Sequence, residues 1–427
     1  MWWGNMNTRG NGEKKITVRL HKASFENFRL WEHLEVELGP RLTLLMGENG
    51  SGKTALLDGV AIGLGEILTH LPGVVGITFS KRGEIHQREN RICPYARVML
   101  EDCSASDLTW ERVQRRDKSR KTVSAVPSGP GVRALRSHLD RHVIEPWQSG
   151  APFEMPVVAY YGVSRAVLDI PLRRRNFPTD YSRFDALAGA LEAGTRFKSA
   201  FAWFYYKENE EHKEQKAARS FDITLSELDA VRSAIMRVFP DLTNPRIELN
   251  PLRLAVDKGG ETLDFAQLSD GYQTLLGLVM DLSARMAMAN PHLDDPLAAK
   301  AVVMIDEVDL HLHPAWQRRV VGDLLATFPG TQFILTTHSP FIVEAVNNHL
   351  KRHQIGDLAE KGGPEILGLM ALDSADVRAY GMQSQGTTDL LDQSSRLLDD
   401  QLLQHFNAIS GLYDRMRDIQ WEQGGKA

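Results

Sequence analysis

Two clusters of residues in this chain could do phosphate chemistry. Gly47-Glu48-Asn49-Gly50-Ser51-Gly52-Lys53-Thr54 fits the spacing G-x-x-x-x-G-K-[ST] at every position. Such a loop works through backbone N–H groups gathered at the positive end of the following helix. Gly47, Gly50 and Gly52 keep side chains out of the way, and Asn49 and Ser51 complete the cradle. Lys53 is placed to reach β- and γ-phosphates, and Thr54 to ligate Mg²⁺ through its hydroxyl. Far down the chain, Val302-Val303-Met304-Ile305 is an apolar run that ends in Asp306-Glu307. Asp306 suits the same Mg²⁺, and Glu307 suits a general base for an attacking water. Together they imply hydrolysis of a nucleoside triphosphate such as ATP.

The elements that must carry these groups can be read from the pattern. Ile16–Phe25, Leu34–Leu38 and Leu42–Met46 read as strands leading into the loop, and Ala55–Ile67 as the helix after it. Val98–Leu100 and Pro156–Tyr161 are further strands. Asp185–Ala218 reads as helical, with Phe197, Ala200, Phe201 and Phe204 at helical spacing. Thr224 and Glu227 form a capping box before Leu228, Val231, Ile235 and Val238. Leu263–Phe265, a helix through Leu275–Met286, the acidic strand, a helix over Trp316–Phe328 and a strand over Phe333–Thr336 complete the order. His338 sits just past the last strand. Strands alternating with helices predict an α/β fold with a mixed, largely parallel sheet flanked by helices and interrupted by a helical insertion.

Leu268-Ser269-Asp270-Gly271-Tyr272-Gln273 resembles the signature motif of ABC-type ATPases, in the form found in their RecF-like and SMC-like branch. The resemblance implies a P-loop NTPase with an ABC-ATPase head. Ser269 and Gly271 would grip the nucleotide of a second copy, giving an ATP-dependent homodimer or higher homo-oligomer. Asp309 and the Leu312-His313-Pro314 stretch match that branch at the dimer contact, and Thr336-Thr337-His338-Ser339-Pro340 matches its H-loop, with His338 at the γ-phosphate. The glutamine that couples Mg²⁺ to the rest of the head is assigned to Gln87, with Gln114 behind it. Asn27-Phe28-Arg29 is also common in RecF-like proteins. Tyr160-Tyr161-Gly162 through Arg165, followed by Trp203-Phe204, resembles ATP-binding proteins of bacterial defence loci, including Septu-type and retron-associated ATPase subunits. Arg165 reads either as a functional residue or as a surface arginine. His311 and His313 could alternatively ligate zinc.

The implied division is a flexible arm over 1–15, with Trp2 and Trp3, an N-terminal lobe over 16–180 and a helical insertion over 181–245. A C-terminal lobe over 246–350 and an α-rich extension over 351–427 follow. The extension is short for a nuclease domain, and Asp399 and Asp400 read as a solvated helix face. A separate effector subunit is therefore expected, an HNH-type nuclease being the candidate, in an anti-phage role. The alternative is a RecF-like DNA-repair clamp, with nucleic acid (DNA or a retron RNA/DNA) as partner. Its footprint would be Arg112, Arg115, Arg116, Lys118, Arg120 and Lys121, or Arg173–Arg175. An ABC transporter subunit fits poorly, because its two phosphate motifs lie closer together. The chain has 427 residues, a net charge of −5, and Cys93 and Cys103 as its cysteines. That composition, with no apolar run of membrane-spanning length, predicts a globular cytoplasmic protein without a membrane partner.

Overall fold

The computed structural model describes residues 18–80, 83–89, 91–102, 108–166, 177–194, 197–384, 386–398 and 415–416. The expected arm over 1–15, Cys103, Arg173–Arg175 and Asp399–Asp400 lie outside the described residues. The central sheet runs in the order Gly386–Asp389, Val377–Gln383, Leu42–Met46, Thr331–Thr337, Ala301–Ile305, Val157–Tyr161. All pairings are parallel except that of the outer strand Gly386–Asp389. Every residue of the strands ending at Met46, Tyr161, Ile305 and Thr337 is buried. Strands covered on both faces have no solvated side to alternate with, hence the apolar run of Ala301–Ile305 and the buried polar residues, such as Gln332, that are hydrogen-bonded within the protein.

Register decides where the chemistry emerges. Met46 lies opposite Thr337 and Gly381, while Ile305 lies opposite Leu335 and Tyr161. The carboxyl ends of neighbouring strands are therefore level, and the segments that follow them share one edge of the sheet. In open α/β sheets that edge is where ligands bind.

A second, antiparallel sheet has the order Trp31–Glu37, Leu20–Phe28, Tyr95–Asp102, Leu108–Arg115. The helix Lys53–His70 is caught between the two sheets. It is buried from Lys53 to Leu68 almost without interruption, as a helix apolar all round must be. Its glycines make the close approach possible. A Cβ on Gly59 would lie 2.4 Å from the Phe25 ring, and one on Gly63 would lie 2.5 Å from Leu100. The Trp110 indole donates to the Gly63 carbonyl at 2.9 Å across the same gap. A helical lobe completes the molecule, with helices Phe197–Ala218, Ser226–Val238 and Asp270–Ala289 and the meander Thr243–Leu249, Leu252–Lys258, Glu261–Asp264.

Several expectations are corrected. The helix predicted from Asp185 begins at Phe197; among the described residues from Asp185 to Gly194 the helical structure is a 3₁₀ turn, Arg183–Leu187. Residues 188–194 run beside an edge strand instead, where Ala190 and Ala193 carbonyls accept from the Tyr160 and Gly162 amides at 2.7 Å each. The capping box at Thr224 does not form. Leu225 is the N-cap, its amide donates to Glu211, and Glu227 meets Lys207 at 3.1 Å. The helix predicted over Trp316–Phe328 is two, Pro314–Gln317 and Val320–Thr327. At the break, Arg319 turns to donate to the Val238 carbonyl and to Asp323. The α-rich extension contributes two strands, Val377–Gln383 and Gly386–Asp389, to the central sheet. The division at 245/246 falls inside the strand Thr243–Leu249.

Gly59→Val tests the helix-between-sheets packing. The isopropyl group added against Phe25 and Phe28 outweighs the gain in helix propensity, and overpacking of this kind costs about 1–3 kcal/mol. A urea midpoint equal to or above that of the parent would refute the close approach.

Candidate active site

The phosphate loop spans Gly47 to Gly52 between its strand and helix. Gly52 sits at φ 102°, a conformation that needs glycine, and a Cβ there would lie 2.5 Å from the Trp31 ring. At Gly47 a Cβ would come within 2.6 Å of the Met382 carbonyl oxygen. Gly50 and Asn49 face open solvent. The Lys53 ammonium is held over the loop by the Gly47 and Glu48 carbonyls, at 2.9 Å each. Burial lowers its pKa, while Asp306, Glu307 and Asp309 nearby oppose that. The Ser51 hydroxyl is buried without a hydrogen-bond partner. A cavity of about 460 Å³ opens over the loop, lined by Met46–Ser51 on one wall and Gly381–Ser384 on the other.

Across the sheet, Thr54 Oγ1 donates to Asp306 Oδ2 at 2.7 Å, joining residues 252 positions apart. Thr336 Oγ1 donates to Asp306 Oδ1 at 2.6 Å and accepts from the Glu307 amide at 2.7 Å. Asp306 is 2% exposed, so both carboxylate oxygens need these donors. Glu307 is half-buried and adopts φ 50°. Asp309 accepts from Thr337 Oγ1 at 2.5 Å. His338 follows directly on the strand Thr331–Thr337 and is half-buried. Gly47, Gly50, Gly52, Ser51, Lys53, Thr54, Asp306, Glu307, Asp309 and His338 thus converge on one edge. An orphaned buried hydroxyl, a lysine above a glycine cradle and a Thr–Asp oxygen pair fit a triphosphate with a hard divalent cation.

Ser269 and Gly271 lie elsewhere. Ser269 is the exposed N-cap of the helix Asp270–Ala289, and its side chain makes no capping bond. The nearest atoms to a Cβ on Gly271 belong to His311, at 2.7 Å, and Leu312, not to the phosphate loop. The signature turn and the His311–Pro314 turn therefore form one continuous surface. Against the zinc alternative, the His313 Nδ1 accepts from the Ala315 amide and caps a short helix. Gln87 is exposed in a two-residue strand paired with Arg91–Ile92, and no hydrogen bond among the described residues links it to Thr54 or Asp306. The Gln114 side chain donates to the Arg115 carbonyl.

Other residues were not legible as site components. Thr336 and Thr337 read only as part of a motif around His338, yet they orient Asp306 and Asp309. Met382 and Gln383 fall in the α-rich extension expected from the sequence, although the alternation in Val377–Gln383 is a usable strand signal. Arg112 is not part of a basic footprint: it turns inward to the Ile62 and Ile77 carbonyls and to Glu66. Arg29 likewise binds Asp58 at 2.6 Å, and Tyr160 donates to the other oxygen of that carboxylate. Arg165 is not a surface arginine, being 2% exposed.

Residues 136–344 match the family described as "AAA domain, putative AbiEii toxin, Type IV TA system". "Retron Ec83 probable ATPase" of Escherichia coli is 26% identical over 392 residues, covering 78% of this chain and 70% of the relative. "Retron Vc95 probable ATPase" of Vibrio cholerae serotype O1 biovar El Tor is 24% identical over 387 residues, covering 78% and 72%. "Septu protein PtuA" of Bacillus mycoides (strain KBAB4) is 45% identical over 73 residues, 17% of this chain and 10% of the relative. Among solved structures, an SmcHead bound to the C-winged helix domain of ScpA superposes with a TM-score of 0.45 at 12% identity, covering 87% of this chain and 97% of that one. The SMC head domain from Thermotoga maritima gives 0.37 at 13% identity, covering 87% and 98%. Neither superposition is close, and the strand order carries the fold by itself. The chain is a relative of the retron-named ATPases, as its motifs imply.

Thr336→Val removes the donor to Asp306 and the acceptor of the Glu307 amide while keeping the shape. Leaving two buried polar groups unsatisfied costs about 1–3 kcal/mol in chemical unfolding. Thr336→Ser retains the hydroxyl and most of the stability; equal stability of the Val variant would refute this account.

Proposed function

We propose that this relative of the retron-named ATPases binds and hydrolyses ATP, and that ATP-dependent assembly of its copies regulates a separate effector. The contact that carries the reading is Thr54 Oγ1 to Asp306 Oδ2 at 2.7 Å, with Glu307 next in the chain. It brings together, beside the phosphate loop, two oxygens of the kind that would ligate the Mg²⁺ of a Mg²⁺–triphosphate, and so supports this reading. Lys53, the loop amides and Ser51 would hold the phosphates, and Thr54 and Asp306 the Mg²⁺, with Gln87 a candidate further ligand. The ion would neutralise charge on the phosphate oxygens. Glu307 would orient the attacking water and take its proton, and His338, past the neighbouring strand, would contact the γ-phosphate.

The exposed, uncapped Ser269 beside Gly271 supports a trans role for the signature turn, since an idle N-cap hydroxyl and free helix-end amides suit a phosphate of a second copy. The retron and Septu names of its relatives support a place in anti-phage defence, with an HNH-type nuclease as the candidate effector. A second reading, an ATP-gated clamp on DNA or a retron RNA/DNA, is favoured by one observation. Arg115, Lys118, Arg120 and Lys121 are all exposed around the turn after the strand Leu108–Arg115.

Glu307→Gln should lower turnover by roughly 10²–10⁴ and hold ATP in a dimer visible by light scattering. Adding Ser269→Arg should return that protein to monomers that still bind ATP. Monomers of Glu307→Gln at saturating MgATP would sink the trans arrangement. For the second reading, Arg115→Glu with Lys118→Glu should weaken DNA binding and flatten its salt dependence. Unchanged binding would remove that surface.

A further inference from the structure

Glu307 has φ 50°, a left-handed conformation that a non-glycine residue keeps only where its surroundings over-determine it. Part of that constraint is the hydrogen bond that the Glu307 amide donates to Thr336 Oγ1. The rest comes from Arg165, just beyond the edge strand Val157–Tyr161. Its guanidinium donates to the carbonyl oxygens of Asp306 and Glu307, and to that of Gly162 at 3.0 Å. Two consecutive carbonyls can meet one planar fork because the left-handed residue between them turns the chain. A guanidinium has the donor geometry to hold both, whereas an ammonium is a point charge. Burial pulls the Arg165 guanidinium down to about 10, against the opposing pull of Asp306, Asp309 and Glu307.

Arg165 is itself held from behind. The Gly162 amide donates to the Ala193 carbonyl at 2.7 Å, and Ser164 Oγ donates to the same oxygen at 3.0 Å. The Tyr161 hydroxyl donates to Asp281 at 2.7 Å, and Asp281 is paired at 2.7 Å with Arg285 on the same helix, Asp270–Ala289. The backbone of the base is therefore clamped from the lobe that carries the signature turn.

We propose that Arg165 is a positioning residue: by gripping the Asp306 and Glu307 carbonyls it sets the left-handed turn that aims the Glu307 carboxylate. This rests on the reading of Glu307 as the base. Arg165 holds the backbone of the base and transfers no proton itself. Its loss therefore affects the chemical step far more than nucleotide binding.

The test uses the full chain with Arg165→Met, Arg165→Lys, Glu307→Gln and the Arg165→Met/Glu307→Gln double variant. Steady-state kcat and KM for MgATP are measured beside equilibrium binding of a fluorescent ATP analogue and near-ultraviolet circular dichroism. Misplacing a catalytic group by about 1 Å costs on the order of 100-fold, and that is the fall in kcat expected for Arg165→Met. KM and nucleotide Kd should stay within about 3-fold, because only a transition-state contribution is lost. Arg165→Lys should recover part of the rate. The double variant should be no slower than Glu307→Gln, since the two residues act as one unit. Near-parental kcat in folded Arg165→Met would overturn the proposal. So would losses that multiply in the double variant, or binding lost in step with turnover. If Arg165→Met does not fold, Arg165→Lys decides, by the split between kcat and Kd. Full turnover in Glu307→Gln alone would instead remove the base assignment, a result separable from any of the Arg165 outcomes.

Discussion

The hydrogen bond from Thr54 to Asp306 is the contact on which the rest of the site depends. It joins a helix start to a strand end, and the carboxylate that accepts it cannot be left unpaired where it sits. Asp306 is almost fully buried and takes donors on both oxygens, from Thr54 and Thr336. Burying a carboxylate is unfavourable unless such donors are present. The strands that end at Met46, Ile305 and Thr337 must therefore finish level with one another. Their parallel register does this, and it also delivers Glu307, Asp309 and His338 to the same edge.

The helix Lys53–His70 transmits that constraint to the second sheet. It is buried on all sides, and glycines at 59 and 63 let aromatic and aliphatic side chains of the antiparallel sheet close onto its backbone. The phosphate loop at its N-terminus is thus mounted on an element that cannot tilt without disturbing both sheets, which preorganises the loop amides. The opposite wall of the site comes from the far end of the chain. Strand Val377–Gln383 adds to the sheet next to Leu42–Met46 and lines the cavity above the loop.

Much of the site was legible because its chemistry is local. Gly47 to Thr54 must be contiguous for backbone amides to wrap a phosphate, and Asp306-Glu307 must follow an apolar run to emerge from a buried sheet. Other readings failed where tertiary partners outbid local preference. The Thr224–Glu227 box lost to ion pairing of Glu227 with Lys207 and to Glu211 at the Leu225 amide. Arg112 looked like part of a basic run, but it lies on a strand whose neighbouring helix and loop offer carbonyls. Gln87 had no distinctive local context, and the structure leaves it on an exposed hairpin.

The sequence by itself determined the phosphate loop, the acidic pair, the motif order and the α/β class, since each depends on residues close in the chain or on periodicity. Only the tertiary structure decided which strands are neighbours, that Thr336 and Thr337 orient the carboxylates, that Gly271 is small because it meets the His311 carbonyl, and that Arg165 is buried against Asp306 and Glu307. Each of these is a contact between distant segments. Its energy comes from satisfying buried polar groups or filling space between elements, and neither requirement exists until the sheet has assembled.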